Sequence, residues 1–152
     1  MECNNLTQDN LGKPDIALSG LQIWVHNRQF PDLVDYWDAN WINVNVHCGG
    51  QGASVWVNGN IIHLSEIFGF LQGAEQLFKE LNGKAELHCM EPYLLVELEA
   101  KKHGQIEMTV NITPDNLSQK HEFLFNIDQS YLPNLILECK EVLEKYPIKG
   151  SV

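Results

Sequence analysis

The sequence predicts an α+β fold: a mostly antiparallel sheet of about six to eight strands with two helices, in the rough order β-β-β-α-β-β-β-β-α. Three observations lead there. Apolar and polar residues alternate with period two in a series of short segments, two longer segments carry apolar residues at a period near 3.6, and the strands are joined by connections of hairpin length. Helices packed on one face of such a sheet would leave the other face, or part of it, free to carry function.

Residues 1–14 are polar and without period, with Gly12 and Pro14 among them, and read as a loose arm; the folded domain is expected to run from residue 15 to 152 as a single unit. Leu21, Ile23 and Val25 alternate with Gln22, Trp24 and His26 as a half-buried strand, which Ile16 and Leu18 extend across Gly20. WINVNVHC puts Ile42, Val44, Val46 and Cys48 on one face and Asn43, Asn45 and His47 on the other. GGQG, residues 49–52, supplies the positive dihedral angles of a hairpin, and ASVWVNG returns with Val55 and Val57 inward and Trp56 outward. After Ile61 and Ile62 the period changes: Leu64, Ile67, Phe68, Leu71, Phe78 and Leu81 form the expected stripe of a helix ending at Asn82-Gly83, with Gly69 and Gly73 explained by close packing on a sheet.

KAELHC, YLLVELEA, QIEMTVNIT and HEFLFNID then read as strands, with a turn at residues 101–104. Their outer positions are rich in Glu. A second helix begins near Ser130, with a stripe of Leu132, Leu135, Ile136, Cys139, Val142, Leu143 and Tyr146, and Pro147 stops it. Pro133 fits its first turn, where a missing N–H costs little.

Twenty Asp and Glu against ten Lys and Arg leave a net charge of -10. That charge repels nucleic acid and anionic lipid, and it favours a basic partner if a macromolecule is bound. The N-terminus has neither a basic start nor an apolar run, and no stretch approaches the roughly 18 apolar residues of a membrane span, so a cytoplasmic location is expected. The four cysteines lack CxxC spacing, which suits free thiols in a reducing compartment, and Cys48, Cys89 and Cys139 fall at apolar positions of their segments.

His47-Cys48 and His88-Cys89 invite a metal reading, but adjacent strand residues point to opposite faces and cannot both reach one ion without a bulge. Cysteine nucleophilic catalysis is equally disfavoured, since Cys48 and Cys89 sit mid-strand on the apolar side, where the thiolate is destabilised. No cofactor or catalytic residue is expected. Three clusters remain. Trp24, His26, Asn43, Asn45, His47 and Trp56 share the outer face of the early strands, either as a binding surface or as a small second core under the N-terminal arm. Glu86, Glu97, Glu99, Glu107 and Glu122 share the outer face of the later strands, as a solvated face or an acidic docking surface; a glycosidase carboxylate pair would need a concave sugar site that short loops do not build. Asp35-Tyr36-Trp37-Asp38-Ala39-Asn40-Trp41 carries carboxylates and an Asn that stabilise turns, with Tyr36 and Trp37 clamping the loop or Trp37 anchoring a partner.

RQFPDLVDYWDANW, followed by an alternating strand, a single helix, AELHCMEPYLLVEL and ITPD, resembles the WapI-family immunity proteins over about residues 15–147. The resemblance implies an antitoxin-like protein that binds and blocks the toxic tail of a contact-dependent toxin, in the best-known case a tRNA-cleaving nuclease. It assigns no partner contact to a residue; those come from the surface reading, with Trp24, Trp37 and Trp56 as anchors and Asp35, Asp38, Glu86, Glu97 and Glu107 meeting basic residues. The rival readings are an accessory domain that self-assembles or binds another cytoplasmic protein, and a small hydrolase, which would need a deep pocket with a perturbed His or Glu.

Overall fold

The computed structural model describes residues 11–152, so most of the expected N-terminal arm lies outside the described residues. Among the described residues the fold is α+β, with eight strands. They form two antiparallel four-stranded sheets rather than one. The first is the meander β1 (Ile16–Leu18), β2 (Leu21–Arg28), β3 (Trp41–Gly50) and β4 (Ala53–His63). The second is the meander β5 (Lys84–His88), β6 (Leu94–Ala100), β7 (Gln105–Ile112) and β8 (Glu122–Asp128). Helix α2 (Leu64–Glu80) joins the sheets and α3 (Leu132–Lys145) follows β8, while a third helix, α1 (Tyr36–Ala39), occupies the DYWDANW segment that reads as a turn in sequence.

The alternation does what period two requires. Ile23, Val44, Val46, Cys48, Leu87, Val96, Leu98, Met108 and Val110 are fully buried, and one continuous apolar core includes residues of both sheets and both long helices. The elements enclose it in a ring: α3 packs on β1, α2 on α3, and α2 on β5, while β7 and β8 return to touch β4 and β3. Where β8 meets the turn after β1, a Cβ on Gly20 would lie 2.2 Å from the Gly49 carbonyl and 2.7 Å from the Phe125 ring, so the approach requires glycine. Gln51-Gly52 forms the two-residue hairpin, with Gly52 at φ 76°.

The buried face of α2 is Leu64, Ile67, Phe70, Leu71, Ala74 and Leu77. Phe68, Phe78 and Leu81, assigned to that face from sequence, are 43–46% exposed. The helix is turned toward its small residues because α2 lies close on β5: a Cβ on Gly73 would meet the Ala85 Cα and Cβ at 3.0 Å, whereas Gly69 faces open space. Helix α3 buries Leu132, Leu135, Cys139 and Val142 as its period requires, with Pro133 in the first turn.

The turn at residues 35–41 is fixed from several directions. Asp35 caps α1 by accepting the Asp38 N–H at 2.7 Å. The fully buried Asn40 side chain donates to the Tyr36 carbonyl at 2.7 Å and the Lys149 carbonyl at 2.9 Å, and accepts the Lys149 N–H at 2.9 Å and Arg28 Nη1 at 3.2 Å. Arg28 also donates to the carbonyls of Ala39 and Pro147, so this buried cation is held by carbonyl oxygens. His63, also fully buried, bonds the Tyr36 and Trp37 carbonyls through Nε2 and Ser65 through Nδ1, in a capping box with Glu66 that starts α2. Replacing Asn40 with Ala strands groups on three segments in a space closed to water; Asn40→Ala is expected to cost about 3 kcal/mol, read from urea unfolding at unchanged m-value.

Candidate partner-binding site

The eight residues singled out as partner contacts fall on three separate surfaces. The first is the outer face of β2–β4. There Trp24 stacks on Trp56 with ring centroids 5.6 Å apart and planes 19° from parallel, and His47 lies against Trp56 at 4.4 Å. Trp24 is outside the main core, as its parity requires, but it is only 2% exposed, and its indole N–H is donated to the Gly12 carbonyl at 3.0 Å. It has no face to offer a partner. Trp56 is half-buried.

The polar residues of this face bond one another. His26 pairs with Asn45 at 2.9 Å, Asn58 donates to Asn45 at 2.6 Å, and His47 reaches Gln22 at 3.0 Å and Ser54 at 2.7 Å. Burial lowers the His47 pKa, which favours the neutral ring. The face is a hydrogen-bonded second layer with Trp24 sealed inside it.

The second surface is the segment leading into α1. Asp35 and Asp38 are exposed and Trp37 is 54% exposed, one ring edge-to-face with Tyr36 at 5.2 Å. Phe30, Leu33 and Val34 are exposed beside them in sequence, so an apolar patch is interspersed with the carboxylates of Asp32, Asp35 and Asp38. Lys149 holds this segment by donating its ammonium to the carbonyls of Pro31 and Leu33. Sequence reading found Trp37 but not its three apolar neighbours, which the pattern Phe-Pro-Asp-Leu-Val presents only as loop.

The third surface is the outer face of β5–β8, which neither long helix covers. Register places Glu86 directly opposite Glu97 and Glu99 directly opposite Glu107. Like charges in opposed positions destabilise a sheet. Lys84 answers only part of this repulsion, reaching Glu97 at 2.9 Å and Glu99 at 3.7 Å, with Lys101 on Glu99 at 3.1 Å. These two lysines hold the Glu99 carboxyl below its ordinary range, the Lys101 hydrogen bond contributing most. Among the described residues, Glu107 has no ion pair.

The three described cysteines are buried and poorly suited to act as nucleophiles. The thiols of Cys48 and Cys139 are pushed up to about 12 by burial, and that of Cys89 is raised by the same cause. Among the described residues, no group of three or more His, Cys, Asp and Glu is placed to hold a metal ion, and no helix is long and apolar enough to cross a membrane.

The structure thus presents an α+β shell with an acidic sheet face and an acidic, aromatic loop. The family comparison gives the class a name: residues 15–147 match the model of the Immunity protein WapI-like family, and the chain belongs to that family. Neither a comparison with curated proteins nor one with solved structures finds a match.

Two outcomes follow from this geometry. Glu107→Lys replaces an opposed carboxylate pair with an attractive one and should raise the thermal unfolding midpoint by about 1–3 °C, where an unchanged or lower midpoint would show that the repulsion is already relieved. Iodoacetamide at pH 8 should leave Cys48, Cys89 and Cys139 unmodified in the native protein and label all three in urea, as read by peptide mass mapping.

Proposed function

We propose that this protein is a non-enzymatic immunity protein that binds a basic toxin domain in the cytoplasm and occludes its active site, with a nuclease as the toxin its charge suits best. The observation that carries the reading is the outer face of β5–β8. Carboxylates are held there in opposed pairs that Lys84 and Lys101 only partly neutralise, and a partner's Lys and Arg residues would pair with the rest on binding. A nuclease must hold a polyanion and therefore brings a basic active site to such a face. Family membership supports the class of function.

In this reading residues 15–152 act as one domain, Glu86, Glu97 and Glu107 meet the basic surface, and Trp37 anchors with Asp35 and Asp38 at the rim. Rigid support favours Trp37 in that role, because the carbonyls of Tyr36 and Trp37 are both held by His63 and the ring needs no ordering on association. The apolar patch around Trp37 favours a second reading, self-assembly, which predicts a stable oligomer that buries Trp37.

The test is a titration against the C-terminal domain of any large secreted protein encoded beside this one. Binding should be about nanomolar and weaken as salt rises, and the triple variant Glu86→Lys, Glu97→Lys, Glu107→Lys should lose at least about tenfold in affinity together with much of the salt dependence. Unchanged affinity and salt slope in the triple variant would remove the electrostatic basis of the reading.

A further inference from the structure

Four strands bound the two sheets, and their edges are treated differently. The edge of β1 is covered by α3, with the Ala17 N–H donated to Glu138 at 3.1 Å, and α2 packs on β5. The β8 edge carries Glu122 and Asp128. The β4 edge has neither device: ASVWVNGNIIH contains no Lys, Arg, Asp, Glu or Pro in 11 residues, in a chain that is 20% charged. An uncharged edge rich in β-branched and aromatic residues is the kind that accepts another strand.

Hairpin geometry identifies which of its backbone groups are free. The Gly50–Ala53 pair closes the two-residue turn, and the register runs unbroken from there to Val44–Gly59. Because hydrogen-bonded and non-hydrogen-bonded pairs alternate from a closing pair that is bonded, Ser54, Trp56 and Asn58 sit in non-bonded pairs and aim N–H and C=O away from β3. Gly49, opposite Ser54, agrees: its N–H turns away from β4 to the Gly20 carbonyl at 3.0 Å. The side chains of Val55 and Val57 point into the core, so the strand cannot rotate to use these groups elsewhere. The register shift after Gly59, itself at φ 155°, ends the regular strip.

This edge opens onto a groove of about 540 Å³. One wall is the consecutive run from Trp56 to Ile61, and the other is Glu91, Tyr93 and Pro114 from the second sheet's connections. A cleft with a strand edge along one side and an apolar and acidic wall along the other has the form of a slot for one extended chain. A flat edge, as β4 of a second copy would need, lacks that second wall.

We propose that Ala53–Asn58 is a strand-addition site that takes an extended segment of the toxin partner, one carrying Lys or Arg opposite Glu91. The inference rests on the immunity reading for its occupant. Main-chain hydrogen bonds to Trp56 and Asn58 supply the attachment, and Glu91 with Tyr93 reads the side chains. The first sheet then has a fifth strand in the complex.

Amide hydrogen exchange of the full chain, alone and bound to the C-terminal domain of any large secreted protein encoded beside it, tests it. Trp56 and Asn58 should exchange fast in the free protein and slow by at least about tenfold in the complex. Asn58→Pro should bind at least about tenfold more weakly than Asn58→Ala. Both lose the Asn58 side-chain bonds to Val44 and Asn45, but only the first loses the edge N–H. If Asn58→Pro does not fold, the exchange experiment still decides. A complex in which both amides stay fast, or in which the two variants bind alike, overturns the groove and leaves the immunity reading standing. Failure of any complex to form overturns the immunity reading and this occupant with it. Protection already present in the free protein and rising with concentration would make the occupant a second copy and overturn the proposal.

Discussion

The side chain of Asn40 ties together parts of the chain that are more than a hundred residues apart. Its amide reaches back to Tyr36 and across to Lys149, and its carbonyl oxygen receives Arg28 and the Lys149 N–H. A fully buried amide must satisfy all of these at once, so the positions of α1, the end of β2 and the 147–149 segment are mutually fixed. The Asn40 carbonyl also accepts the Leu64 N–H at 2.8 Å, which brings the start of α2 into the same arrangement. His63 completes it from the other side of α1.

That constraint bears on function through preorganisation. Loops that carry contact residues usually lose conformational freedom on binding, and the loss subtracts from affinity. Here the 35–41 turn is held by side chains from β2 and β4 and by the main chain of Lys149, while Trp37 and the carboxylates of Asp35 and Asp38 stay exposed. The acidic face of the second sheet is rigid for a different reason. Its inner residues Leu98, Met108 and Val110 are fully buried, so the opposed carboxylates cannot separate by slipping register without turning apolar side chains to water. The carboxylates are thus held in fixed positions where a basic surface would meet them.

Much of this was legible in the residues and some was not. Alternation located the strands because parity is a local property, and it put Cys48 and Cys89 inside and Trp56 outside. Parity could not show that Trp24, though outward, would be covered and bonded to Gly12, because covering depends on where another segment lies. The stripe chosen for α2 matches at Leu64, Ile67 and Leu71 but took Phe68, Phe78 and Leu81 in place of Phe70, Ala74 and Leu77, because the close approach of Gly73 to Ala85 fixes which side of the helix faces β5. The four residues of α1 are too short for a period to register. Division into two sheets, and with it the exposed edge of β4, depends on strand order, which no local pattern encodes. Among the candidate contacts, Trp37 and the Glu positions could be read from sequence; Phe30, Leu33 and Val34 could have been flagged by asking which apolar loop residues have no periodic partner.

The central claim, that the acidic sheet face and the fixed aromatic loop serve to neutralise a basic toxin, is tested most directly in living cells. The C-terminal domain of any large secreted protein encoded beside this one would be induced together with the wild-type chain, with the triple Glu→Lys variant, or with no partner, and growth followed. The geometry predicts growth with the wild type and arrest with the variant at equal folded level. Arrest in the presence of the wild type, or equal protection by the variant, would contradict it.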